Sequence, residues 1–288
     1  MKFSLSGLYD MRLIAVFGML LFQLVAGPLW AQSITAITPR SVKAGSTTQL
    51  TVVGKGFDSS LRFLTRGTSQ VSIESVEAEK AVIQLTVPAD TPLGAFGLWA
   101  ATNAGPISAT ALVVEDLSVV ADNGKNHSPA TAQKVPSQVA IDGTSDGAAL
   151  DYYQIHVDEN QWLTVEALTQ CTASKMDPVI RLLTTDGKTI LVADDDGLGP
   201  ECRFRHQFSS AGDYVLEIKD SGYVAGGNYH LRIGDFPLVS HCFPLAVKRG
   251  DSRQQWQRRV HSAGRGSSAA QAAQVVHIKE DADVGHHF

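Results

Sequence analysis

From residue 33 onward, apolar and polar positions alternate in short runs with no sustained helical period, so the chain reads as strands. Thr47 to Gly54 alternates up to a glycine break at Gly54-Lys55-Gly56, after which Phe57 is expected to pack inward. Val71 to Pro88 reads as two short strands around a charged turn. Phe96 to Asp116 reads as two more around Asn103-Ala104-Gly105-Pro106. Further runs follow as SQVAIDGTSDG, DYYQIHV, QWLTVEAL, DPVIRLLTTDGKTILVADDD, RFRHQFSSAGDYVLEIKD and GGNYHLRIGDF. Tyr153, Ile155 and Val157 share one face of their run, and Leu163, Val165 and Ala167 share one face of the next, as half-buried strands require. Thr185-Asp186-Gly187-Lys188 is an Asp-Gly hairpin turn between two apolar runs. Such closely spaced turns predict an all-β chain of two β-sandwich domains. The polar stretch from Val119 to Lys134 reads as a linker or a first loop.

Composition narrows the class. A length of 288 residues leaves room for two domains, and the balance of 44% hydrophobic to 18% charged residues is that of a globular chain. The net charge of −5, without a basic stripe, argues against a nucleic-acid binder. Lys2 and Arg12 precede an apolar run from Leu13 to about Ala26, and small residues lead to Ala31. Residues 1–31 are therefore expected to be a signal peptide. The chain would then be exported to the periplasm, the cell surface or the medium, with no stable transmembrane anchor after cleavage. The three cysteines, Cys171, Cys202 and Cys242, leave at least one without a partner in the chain. Cys171 and Cys202 either bridge two loops at one end of a sheet or remain separate thiols.

Two resemblances add to this reading. Ile37-Thr38-Pro39, Gly45, the run ending in Gly54-Lys55-Gly56-Phe57 and the later VPADTPLGAFGLWAATNAGPIS make residues 33–117 similar to an IPT/TIG immunoglobulin-like domain. Residues 118–237 resemble a bacterial pre-peptidase C-terminal domain more specifically. The carrying features, in order, are NGKNHSPATAQKV, Ile141-Asp142-Gly143, Asp151-Tyr152-Tyr153, Asp177-Pro178, Asp186-Gly187, Asp194-Asp195-Asp196, Ala211-Gly212-Asp213-Tyr214 and Gly227-Asn228-Tyr229. This likeness implies a jelly-roll-like sandwich on a secreted protein, accessory to a hydrolase or to an adhesive surface protein. Some members bind calcium. Residues 238–288 depart from both patterns. Their Gln-, Arg- and Ala-rich composition from Asp251 predicts an irregular tail, the start of a truncated or frame-shifted further domain.

The triple aspartate before Gly197 raises the question of a metal. An EF-hand starting at Asp194 would place Leu198 and Arg205 at its fifth and twelfth positions, so that motif fails. The family resemblance instead implies calcium ligands gathered from the entry segment and facing loops: Asp122, Asn123, Asn126, Asp151, Asp194 and Asp196. The alternative is that polar residues crowd these turns for backbone reasons. Neither G-x-S-x-G nor H-E-x-x-H occurs, so no catalytic activity is expected. His127 falls in the linker, His156 on an outer face, and His206 and His230 in or near strands, where histidine is usually structural or solvated. The terminal pair His286-His287 could hold a metal weakly. Tyr152 should face outward as a sugar or peptide contact, or pack against a neighbouring domain. Arg181, Arg203, Arg205 and Arg232 are expected to form a row against the acidic turn. The resulting expectation is a non-catalytic exported binding, adhesion or scaffolding protein, whose partner is an extracellular protein or polysaccharide. The alternative is an accessory region of a secreted peptidase whose catalytic domain is absent from this chain.

Overall fold

The computed structural model describes residues 32–238. The expectations for the signal peptide, the tail, Cys242 and His286-His287 lie outside the described residues. Within them the chain is all-β, with two 3-10 turns at Pro129–Thr131 and Gln170–Thr172. No helix among these residues is long and apolar enough to cross a membrane.

The first strands are β1 (Ser33–Thr38), β2 (Ser41–Lys43), β3 (Ser46–Lys55), β4 (Arg62–Thr65), β5 (Gln70–Val76), β6 (Lys80–Val87), β7 (Gly94–Thr102) and β8 (Gly105–Glu115). They form two four-stranded sheets, ordered β1-β3-β6-β5 and β2-β8-β7-β4. The charged turn expected after Val76 joins β5 to β6, which pair antiparallel from Val76↔Ala81 to Gln70↔Thr86. Gly54 shows why that position takes no side chain: a Cβ there would lie 2.2 Å from the Ser33 carbonyl oxygen and 2.4 Å from the Phe57 ring. Phe57 is buried, as the glycine break predicts.

The later strands are β9 (Val119–Ala121), β10 (Gln133–Lys134), β11 (Val139–Asp146), β12 (Asp151–Val157), β13 (Trp162–Leu168), β14 (Pro178–Thr184), β15 (Ile190–Asp195), β16 (Gly197–Pro200), β17 (Cys202–Gln207), β18 (Gly212–Asp220) and β19 (Ala225–Gly234). They build two five-stranded sheets, β10-β12-β18-β14-β15 and β17-β13-β19-β11-β9. A single apolar core includes Tyr153, Ile155, Leu163, Val165, Leu216 and Leu231. Both faces predicted by alternation are therefore buried, and the Asp186-Gly187 turn closes the β14–β15 hairpin. The polar stretch after residue 118 is more than a linker. Ala140, Ile141 and Asp142 pair in parallel with Val119, Val120 and Ala121, and Gln133–Lys134 pairs in parallel with Tyr153–Gln154. Short parallel pairings at sheet edges satisfy backbone groups that an apolar count cannot register.

By compactness, residues 32–39, 48–86 and 98–109 form one unit, and residues 40–47, 87–97 and 110–238 the other. The polar clusters described next belong to the second unit.

Candidate functional site

Asp151 begins β12, where it is only 3% exposed, and Asn126 in the entry segment is 0% exposed. The Asn126 amide donates to the Tyr152 carbonyl at 3.1 Å, and the Tyr152 backbone N–H donates to the Asn126 carbonyl at 2.8 Å. This double clamp holds the entry segment to the start of β12. Asn126 Oδ1 and Asp151 Oδ1 are left buried without a hydrogen-bond partner, which costs about 1–3 kcal/mol for each such group.

The other Asp151 oxygen ends a chain of phenols. Tyr229 Oη lies 2.7 Å from Asp151 Oδ2, Tyr153 Oη lies 2.5 Å from Tyr229 Oη, and Tyr153 donates to Asp122 Oδ1 at 2.9 Å. Three contacts join these four groups, yet two phenols supply only two protons. Tyr229 donates to Asp151 and Tyr153 to Asp122, so the contact between the two phenol oxygens carries no proton of its own. Burial pushes the Asp151 carboxyl up to about 6, with Asp122 and Asp146 reinforcing the rise and Tyr229 and His127 opposing it. Burial also raises both tyrosines, so neither phenol yields its proton to the acids. The chain exists because Gly143 sits opposite Tyr229 in the β11–β19 ladder. A Cβ at Gly143 would come within 2.0 Å of the Tyr229 ring.

His127 and Asp146 complete the cluster. His127 Nδ1 lies 3.3 Å from Asp151 Oδ1, and His127 Nε2 lies 3.5 Å from Asp146 Oδ2. One ligand atom from each of the three residues lies within 4.8 Å of the others. Asp146 reaches this position because the β11–β19 register shifts between Thr144 and Asp146. The extra residue, Ser145, turns inward and donates to the Val224 carbonyl at 3.2 Å. Period-two patterning cannot see such a bulge, so the sequence alone does not offer Asp146 as a ligand and puts His127 in a linker.

The six-oxygen calcium set is not assembled, which corrects that expectation. Asp122 and Asp151 meet the tyrosine pair, and Asn126 is clamped to the Tyr152 backbone beside them. Asn123 is exposed, and its Oδ1 accepts the Lys125 backbone N–H at 2.8 Å. Asp194 lies on the same ladder as Asp151 but at its far end: Asp151 pairs with Ile218, Ile218 with Ile180, and Ile180 with Asp194. Three strand spacings of about 4.8 Å put those backbones about 14 Å apart, whereas calcium draws its oxygens to about 2.3–2.6 Å. Asp194 Oδ2 instead accepts the Arg203 backbone N–H at 2.8 Å. Asp196 stays with the same turn at φ 62°, its carboxyl raised by neighbouring Asp177, Asp195 and Asp194.

The arginines also pair elsewhere. Arg181 meets Glu217, Arg203 meets Glu166, Arg205 meets Asp235, and Arg232 meets Glu115, Asp116 and Glu166. Arg181 faces Glu217, and Arg203 and Arg232 face Glu166, as direct cross-strand partners, so strand register decides those pairings. Glu115 is the most enclosed of these acids at 1% exposed. It accepts from His230 Nε2 at 3.0 Å and from Arg232 Nε at 2.7 Å, while His230 Nδ1 faces Asp142 Oδ1 at 2.7 Å. Both imidazole nitrogens therefore face carboxylate oxygens, an arrangement that only the imidazolium satisfies. Burial lowers the His230 pKa, but bonds from Asp142 and Glu115 outweigh it and the net direction is up.

Tyr152 is half-buried, and burial together with Glu217 pushes its phenol up to about 12. Cys171 and Cys202 are free thiols, so the bridge between them is not formed. Cys202 is buried on β17 with its Sγ against the Pro178 carbonyl, whereas Cys171 is exposed in the 3-10 turn with its N–H on Glu201. The two side chains thus occupy different environments.

Comparison with known proteins gives limited matches. Residues 31–99 match the family model described as quinohemoprotein amine dehydrogenase, alpha subunit domain III. A comparison with curated proteins finds no match. Among solved structures, the pre-peptidase C-terminal domain of collagenase from Bacillus anthracis is 16% identical, with 35% of this chain and 93% of that chain covered and a TM-score of 0.31. The secreted serine protease VesC from Vibrio cholerae is 10% identical, with 77% and 53% covered and a TM-score of 0.25. The mixed-linkage glucan utilisation protein SGBP-B from Bacteroides ovatus is 11% identical, with 71% and 76% covered and a TM-score of 0.24.

Proposed function

We propose that this chain is an exported, non-catalytic β-sandwich protein that binds an extracellular polysaccharide or protein surface. In this reading residues 118–237 are a pre-peptidase C-terminal module and residues 33–117 an IPT/TIG-like domain. The observation that carries the binding role is an exposed apolar pair in the first unit. Leu64 on β4 and Trp99 on β7 are direct cross-strand partners, yet they are 57% and 40% exposed. β4 is an edge strand. The pair supports the reading as an adjoining aliphatic and aromatic surface on a sheet edge that a ligand would cover. An indole lying on a sheet offers a flat face to a sugar ring or a peptide.

The test is binding of the purified chain to immobilised collagen, peptidoglycan and β-glucan. Trp99→Ala is expected to weaken the interaction with the bound polymer at least tenfold without lowering the melting temperature. Retention on none of these supports, or equal retention by the variant, would remove this reading. A second reading, the accessory region of a secreted peptidase, rests on the features shared with the pre-peptidase C-terminal family. A peptidase domain encoded in continuity with this chain would favour it.

A further inference from the structure

We infer that His127, Asp146 and Asp151 form a binding site for a divalent transition-metal ion of the zinc type, and that calcium is not its occupant. The site is independent of the Leu64–Trp99 surface. Its first support is geometric. A tetrahedral ion with bonds of about 2.0–2.2 Å spaces neighbouring ligands about 3.3–3.5 Å apart; His127 Nδ1 lies 3.3 Å from Asp151 Oδ1, and the exposed Asp146 carboxylate, now 3.5 Å from Nε2, would turn to the Nδ1 side to complete the set. Asp151 Oδ1 in fact has no hydrogen-bond partner.

The second support is burial. Asp151 Oδ1 is an unpartnered oxygen of a side chain only 3% exposed, and it faces the imidazole. Asn126 Oδ1, on the residue before His127, is a second enclosed oxygen without a partner. An enclosed carboxylate oxygen without a protein donor is unfavourable, and a cation at Asp151 Oδ1 satisfies what no protein donor does.

Donor chemistry then selects the ion. Calcium takes six to eight oxygens and has no use for an imidazole. One imidazole nitrogen with two carboxylates suits zinc and its neighbours in the first transition row. The three ligands come from three segments: the entry segment, the bulge of β11 and the first residue of β12. An ion there would tie them together as a clip that stabilises the entry segment.

The experiment uses the full chain, stripped of metal, titrated with zinc against a chromophoric chelator. Parallel titrations use His127→Asn, Asp146→Asn and a His286→Asn/His287→Asn double variant. His127 and Asp146 are exposed, so both single variants are expected to melt with the metal-free parent. The proposal expects one equivalent of zinc and a rise in the melting temperature. It also expects at least tenfold weaker binding in each single variant, parental affinity in the double variant, and no displacement by a hundredfold excess of calcium. It is overturned if the parent binds no zinc, if His127→Asn binds as the parent does, or if calcium displaces the zinc.

Discussion

Asp194, Asp195 and Asp196 stand side by side in the chain, whereas Asp122, Asp146 and Asp151 are spread among other residue types. In the structure the first group ends a strand in solvent. Asp194 caps a neighbouring N–H, and Asp195 and Asp196 are exposed. In the second group Asp122 and Asp151 accept from two buried tyrosines, the exposed Asp146 reaches Asp151 through His127, and one buried Asp151 oxygen is left unpaired. Density of charge along a sequence and density of charge in space are thus separate properties. Adjacent acids repel and seek water, so a run of them tends to mark a turn. Scattered acids brought together by strand pairing are held near one another by the fold, and the most buried of them, Asp151, is raised by its burial.

Glu115 sets the far end of this comparison, being as enclosed as Asp151 but fully partnered. Its two oxygens accept from the Asp116 and Leu117 N–H groups, His230 and Arg232. Burial alone would raise its pKa, and these bonds hold it well below the usual carboxylate range instead. Arg232→Leu removes one partner and leaves a buried acid undercompensated, which costs about 3–5 kcal/mol. Urea unfolding at neutral pH should show that loss; a cost below that of an exposed ion pair would mean the network is solvated.

The same network has a pH signature of definite sign. His230 has a folded-state pKa raised above its ordinary value of 6.5. Its stabilising contribution is therefore fully present below that value and is lost as pH rises through the raised one. Glu115 works the other way, losing its contribution only as pH falls far below 4.5. The melting temperature should fall from mildly acidic to alkaline pH, and His230→Gln should flatten that slope. A parent slope unchanged by the substitution would assign the effect to other groups.

The pocket end of the comparison is tested by Gly143→Ala. The new methyl must displace the Tyr229 phenol, which is fixed between Tyr153 and Asp151. Overpacking of this kind costs about 1–3 kcal/mol. The metal-free melting temperature should drop, and the accompanying Tyr229→Phe change should relieve little of it, because the clash includes ring carbons as well as the hydroxyl.

How much of this was legible follows from what each element asks of its residues. Tyr153, Ile155 and Val157 announced a buried face because only one face of β12 is apolar. The Asp186-Gly187 hairpin was equally plain, since Gly187 takes the positive φ of 70° that its turn demands. In β19, by contrast, Tyr229 to Gly234 are buried on both faces, so alternation fails and His230 and Arg232 looked like ordinary strand polars. The candidate site was half visible. Asp122, Asn126 and Asp151 were picked out by the family likeness, but the bulge at Ser145 and the strand order that separates Asp194 from Asp151 exist only in three dimensions.

The smallest expected effects separate members of the aspartate run from one another. Asp194 looks like its neighbours in sequence, but its carboxylate accepts a backbone N–H from β17 and so joins the end of β15 to that strand. Asp194→Ala should lower stability by about 0.5–1.5 kcal/mol, the worth of one such bond. Asp196 accepts nothing comparable and is pressed by three like charges. Asp196→Asn keeps a side chain that tolerates the left-handed backbone there while removing the repulsion, so its melting temperature should equal or slightly exceed the parent's. A marked loss on Asp196→Asn, with Asp194→Ala silent, would reverse the assignment. It would mean that the exposed carboxylate has a role that neither its burial nor its partners account for.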